Sequence, residues 1–167
     1  MKIVENVAVI ETKLRNEFWD LVTEKLEDLV FGLDRALTFK KNENWFDVSK
    51  ESWDFYYVAT EKEDVGIHLR EHFRSKVDGK HDLIKELVEK YSPIIAKFEN
   101  IGWPCWKTFN MYRFNENAQK LRILPDVRDE MVSECASHIF NYIQTCIKMC
   151  DELNKELKGA SVGILYQ

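Results

Sequence analysis

From Leu14 the apolar residues fall at Leu14, Phe18, Leu21, Val22, Leu26, Leu29, Val30 and Leu33, while Asp20, Glu24, Glu27 and Asp28 take the intervening positions. This is the three- and four-residue spacing of one helix face, and it predicts an amphipathic helix of roughly five turns ending near Gly32. Ahead of it, residues 3–10 fit a short strand as well as a first helical turn. After Asp34 the period changes to two, first in segments 37–39 and 45–48. Trp53, Phe55, Tyr57 and Ala59 then alternate with Asp54, Tyr56, Val58 and Thr60, and Val65, Ile67 and Leu69 share one face of a further strand. Glu61, Lys62, Glu63 and Asp64 supply the turn between them. Connections this short join antiparallel neighbours, so these segments form a meander.

Asp78 or Asp82 is placed to cap a helix carrying Leu83, Ile84, Leu87, Val88 and Tyr91. Pro93, after Ser92, suits the first position of a restarted helix through Ile94, Ile95 and Phe98, ended by Asn100 and Gly102. Segment 103–113 reads as another strand, with Phe109 and Met111 on one face and Trp106, Thr108, Asn110 and Tyr112 on the other. Pro125 and Asp126 open the longest element, whose apolar positions run from Val127 through Met131, Cys135, Ile139, Tyr142 and Cys146 to Leu157. A helix of ~30 residues is about 45 Å long. That exceeds the reach of a small sheet, so its end frays or it packs on another chain. Segment 161–166 is short and apolar enough for an added edge strand. The expected architecture is α+β in an αβββαβα order: a central mixed or antiparallel sheet with packed helices and a long C-terminal helix, residues 1–167 forming one domain.

Composition narrows the class. The 167 residues are 45% hydrophobic, 32% charged and 13% aromatic, with only six glycines and three prolines. Collagen-like, linker-rich and low-complexity architectures are excluded. The net charge of −5 argues against a dedicated non-specific nucleic-acid binder. Charge is uneven, however: Lys107, Arg113, Lys120, Arg122 and Arg128 make a locally positive segment, of which Arg113, Lys120, Arg122 and Arg128 are the candidate nucleic-acid contacts. Seven acids between Glu11 and Asp34 make a locally negative one. No leader and no membrane-spanning run is read at the start of the chain or beyond it, so the four cysteines, Cys105, Cys135, Cys146 and Cys150, are expected as reduced thiols in a cytoplasmic protein. Cys146 and Cys150 lie one helical turn apart, with Cys135 and His138 earlier. Without a CxxC pair they read as core thiols rather than zinc ligands.

The element order, with Val65, Gly66, Ile67, His68 and Leu69 in a strand that follows an aromatic one, and with Gly102 and Trp103 entering a later strand, resembles the core of the PD-(D/E)XK nuclease superfamily over most of residues 11–157. That resemblance implies an acidic residue on one strand and an acid two places before a lysine on the next, so that two carboxylates hold Mg²⁺ and the lysine activates water. Asp54 stands at the first position. The following strand offers His68, Arg70 and Glu71 in place of the acid and lysine, so the catalytic and metal candidates are Asp54, Glu61 and Glu63.

Two further groupings remain. Trp45, Trp53, Trp103 and Trp106 with Tyr56, Tyr57 and Tyr112 could stack bases, but basic residues are not interleaved with them, and core packing or a protein-binding surface explains the rings more economically. His68 and His72 lie four apart in a strand pattern, about 13 Å, which is too far for a shared ligand. The expected function is therefore a non-catalytic, nuclease-like interaction protein that binds a protein partner or a second copy of itself. Neither a cofactor nor a membrane is expected. The alternatives are a Mg²⁺-dependent nuclease, and an acidic immunity or anti-defence factor presenting Glu17, Asp20, Glu24, Glu27 and Asp28 to a basic partner.

Overall fold

A computed structural model describes residues 2–61, 63–91, 94, 97–109 and 125–165. Helix α1 (Lys2–Leu33) precedes four strands, β1 (Leu37–Lys41), β2 (Phe46–Lys50), β3 (Tyr56–Glu61) and β4 (Asp64–Leu69). A 3-10 turn at Glu71–Phe73 and the one-turn helix α2 (Arg74–Val77) lead to α3 (His81–Glu89). Strand β5 (Cys105–Thr108) then joins the sheet, and α4 (Pro125–Leu165) closes the fold. The protein is α+β. Its sheet has the order β1-β2-β3-β4-β5 with every neighbouring pair antiparallel, so the four segments read by their period of two are four strands of a meander, one more than the αβββ order counts, and no pair is parallel.

Alternation decides which side of the sheet is covered. The register aligns Phe39 with Val48, Val48 with Val58, Val58 with Ile67 and Ile67 with Cys105. All five are buried, as are Leu37, Phe46, Tyr56, Val65 and Leu69 on the same face. Against this face lie Val22, Leu26 and Val30 of α1, Ile84 and Val88 of α3, and Ile139, Ile143, Cys146, Met149, Cys150 and Leu153 of α4, in one continuous core. Where the β2–β3 pairing ends, the Thr60 hydroxyl accepts from the Phe46 amide and donates to the Phe46 carbonyl, both at 2.9 Å. A buried hydroxyl is thereby satisfied by the ladder itself.

Polar side chains lock the helices to the sheet. Trp45 Nε1 donates to Thr23 Oγ1 (2.8 Å) at the end of the sheet where β1 turns into β2. At the opposite end Lys50 Nζ lies 2.9 Å from both Asp34 and Asp151, joining the end of β2 to the segment after α1 and to α4. Helix α4 likewise starts its crossing at Phe109, which meets His138 and Tyr142, and leaves it at Lys158, which bonds Ser52 and Asp54. Both long helices therefore cross the sheet in the same sense and run parallel to each other. At 32 and 41 residues they are about 48 and 60 Å long, far longer than the strands, and α1 packs along α4. The length of the final helix thus needs neither fraying nor a second chain to explain it.

Of the two readings left open for residues 3–10, the helical one holds, as part of α1. Several expectations are corrected. Neither Asp78 nor Asp82 caps α3: its N-cap is Lys80, without a side-chain bond, and Asp82 lies inside the first turn, where its charge favours the helix N-terminus. The restarted helix is absent at 97–100, because Glu99 N donates to the Pro104 carbonyl and Asn100 Oδ1 accepts from Trp103 N, turning the chain into β5. Ser92, Pro93 and Ile95 lie outside the described residues, as do Lys62, Asn110, Met111 and Tyr112. Segment 161–165 continues α4 instead of adding a strand. Two helical glycines, Gly159 and Gly163, cost about 1 kcal/mol each, too little to stop a helix that is already propagating.

Candidate functional site

The residues that alternate with the core positions form the opposite face of the sheet, and none of the helix contacts above falls on it. Ser49 of β2, Tyr57 and Ala59 of β3, Gly66 and His68 of β4 and Trp106 of β5 all lie there by register. Tyr57 stands directly across from His68, with ring centroids 5.9 Å apart. His68 meets Trp103 at 5.1 Å, and Trp103 meets Trp106 at 6.1 Å. At the other end of this row the Arg70 guanidinium lies 4.8 Å from the Tyr57 ring centroid. Four rings and a guanidinium thus form a half-buried row across β3, β4 and the entry to β5.

The floor beside this row is made of small residues for a steric reason. A Cβ at Gly66 would collide with the Cys105 carbonyl oxygen and stand 2.8 Å from Trp106 Cα, so only glycine lets β5 approach β4 this closely. Ala59 pairs with Gly66 on one side and with Asp47 on the other. Burial pushes the Asp47 carboxyl above its ordinary range although Lys40, His68 and Arg70 pull it down. Burial also raises the Tyr57 phenol, helped by Asp47, and lowers the His68 imidazole. Loss of hydration is the largest influence on all three groups, so the face favours their uncharged forms.

Beyond Arg70 the face opens into a cleft of about 430 Å³ lined by Thr38, Ser49, Trp53, Arg70, His72 and Phe73 together with the charged residues Lys50, Glu51 and Asp54. Lys50 is held by Asp34 and Asp151, and Asp54 by Lys158 at 3.1 Å.

The carboxylates implied by the nuclease resemblance are not brought together. Asp54 precedes β3, Glu61 is the last residue of that strand and Glu63 follows in the turn. Seven residue steps of extended chain separate Asp54 from Glu61, about 23 Å, which leaves no common ligand set for one Mg²⁺. Among the described residues no three His, Cys, Asp or Glu side chains are grouped closely enough to hold a metal. Cys105, Cys146 and Cys150 are buried and Cys135 partly so, all as free thiols. Burial drives the Cys146 and Cys150 thiols well above their usual range, which suits inert core residues.

Of the basic candidates, Arg113, Lys120 and Arg122 lie outside the described residues. Arg128 sits in the first turns of α4 with its Nε 4.0 Å from Asp129. On α1, Glu17, Asp20, Glu24 and Asp28 are exposed, and Glu27 lies 4.0 Å from Lys41.

The aromatic grouping divides between the two faces. Trp45 is turned to Thr23, Trp53 Nε1 donates to Asp151 (2.8 Å), and Tyr56 is buried with its hydroxyl on the Ile101 carbonyl (2.9 Å). Tyr57, Trp103 and Trp106 share the open face, and Tyr112 lies outside the described residues. The sequence reading missed that His68, Arg70 and Asp47 belong to the same face as Tyr57. The signal was available: all of them are off-core positions in the strand alternation.

No protein-family model, curated protein or solved structure matches the chain. Among the described residues no helix is long and apolar enough to cross a membrane.

Proposed function

We propose that this protein acts by binding a partner protein through the open face of its sheet, without catalysing a reaction. The observation that carries this reading is the row Arg70, Tyr57, His68, Trp103 and Trp106. Tyrosine, tryptophan and arginine are enriched at protein interfaces and among the residues that dominate binding energy, since each combines a large apolar surface with a polar tip. The charge around the row is mixed, with Asp47, Glu61 and Asp64 on the same face as Lys40 and Arg70. A face that tracks a phosphate backbone would be dominated by cations. A nuclease-like scaffold whose acids are dispersed fits a role in binding, and its free thiols suit a reducing, cytoplasmic setting.

The test is affinity capture with the wild type and with a Tyr57→Ala/Trp106→Ala double variant whose circular dichroism and melting temperature are unchanged. Truncation of such anchors costs 2 kcal/mol or more, roughly a thirtyfold loss, so a partner held by the wild type should be lost from the variant. Sedimentation velocity on the protein alone separates a foreign partner from a second copy. A partner retained undiminished by the double variant overturns the proposal.

A further inference from the structure

We infer that the cleft beside Arg70 is an oxyanion site, which takes a phosphoryl or carboxylate group. The inference rests on the binding role proposed above and gives the chemistry of one end of that surface.

Arg70 is positioned but unspent. Its guanidinium stacks on Tyr57 and its Nε reaches the Trp53 carbonyl at 3.4 Å. Among the described residues it makes no ion pair, and its terminal nitrogens have no acceptor. A half-buried arginine that served only the fold would ordinarily be matched by a carboxylate or by several carbonyls. Here the planar fork is oriented by a ring and a backbone oxygen, and Arg70 lines an open cleft. This is the arrangement in which a guanidinium recognises a carboxylate or phosphate through two parallel hydrogen bonds.

The rest of the cleft supplies complementary groups. Thr38 and Ser49 lie directly opposite each other on β1 and β2, and neither hydroxyl makes a hydrogen bond among the described residues. His72 adds a third donor. Of the other charges lining the cleft, Lys50 is already shared by two carboxylates and Asp54 is neutralised by Lys158, which leaves the exposed Glu51 as the carboxylate without an ion pair among the described residues. Trp53 and Phe73 give the cleft aromatic walls, so an oxyanion carried on a ring or aliphatic stem fits better than a free inorganic ion.

Titration of the protein with phenyl phosphate, benzoate and inorganic phosphate, read by isothermal titration calorimetry and by the Trp53 indole N–H resonance, tests the site in the wild type and in every variant alike. Saturable binding of phenyl phosphate is expected, weakened about tenfold or more in Arg70→Gln through loss of charge-assisted bonds and severalfold in a Thr38→Val/Ser49→Ala variant. Stronger binding of phenyl phosphate than of benzoate identifies a phosphorylated group; the reverse identifies a carboxylate. Should Arg70→Gln fail to fold, the hydroxyl variant alone decides. The absence of a saturable shift with any probe, or affinities unchanged in both variants, overturns the inference. Trp106→Ala separates the two claims, because it should leave phenyl phosphate binding intact while weakening capture of the partner protein.

Discussion

His68 shows how much one strand position determines. It is a strand residue pointing away from the core, between the rings of Tyr57 and Trp103. Loss of hydration there holds its imidazole below the ordinary value of 6.5. A histidine with a lowered folded-state pKa contributes stability that is complete above its unfolded value and is lost as pH falls through the lower folded value. A His68→Gln variant should therefore lose less stability than the wild type between about pH 7 and 5, as read from urea midpoints; parallel curves would show that the rings do not disfavour the charged form. Alternation in β3 and β4 was enough to put Tyr57, His68 and Arg70 on one side. It could not supply Trp103, which precedes β5 and is brought beside His68 by the Leu69 amide bonding the Gly102 carbonyl. Asp54 and Glu61 illustrate the converse: the residue types matched a chemistry, but an entire strand lies between them.

At the scale of elements, the most buried of the polar bonds that tie α4 to the sheet are made by one amide. Asn154, 2% exposed, accepts from the Phe55 and Tyr56 amides at 2.7 and 3.2 Å and donates to the Tyr56 and Cys150 carbonyls at 3.0 and 2.7 Å. The Phe55 and Tyr56 groups lie at the entry to β3, beyond the last β2–β3 pair, Val48 with Val58. Asn154→Ala should cost about 2–5 kcal/mol, since several buried groups lose their partner together. Lys158→Ala, which removes an exposed ion pair one turn further on, should cost no more than about 1 kcal/mol. Comparable losses in urea unfolding would refute the difference. Helical period made α1 and α4 plain in the sequence, but nothing local marks Asn154, which is a polar residue on an apolar helix face until β3 is placed beneath it. The end of α3 was misjudged for a related reason: the segment after it is shaped by bonds to Pro104 and Trp103 rather than by its own apolar spacing.

Across the whole molecule the sheet, α1, α3 and α4 share one core. Leu26 of α1 and Ile67 of β4 are both fully buried in it. Truncating either to alanine should cost about 2–5 kcal/mol and shift one common unfolding transition, with tryptophan fluorescence and far-ultraviolet circular dichroism coinciding. Two separated transitions in either variant would mean that the helices and the sheet unfold independently. The α+β class was legible because the change of period from helix to strand is unambiguous at Asp34. Which element covers the long final helix was not, because two amphipathic helices separated by the whole sheet carry no mark of each other in sequence.

The parallel pairing of α1 with α4 also bears on how the chain is made. Two adjacent parallel helices cannot be joined by a tight loop, and here the entire sheet is the connection. The apolar stripe of α1 is synthesised before the sheet it packs on and well before α4, and closing so long a loop delays the contact between the two helices further. Until α4 is made, the part of the α1 stripe that α4 covers lacks its partner, and transiently exposed apolar surface of that kind is what chaperones protect.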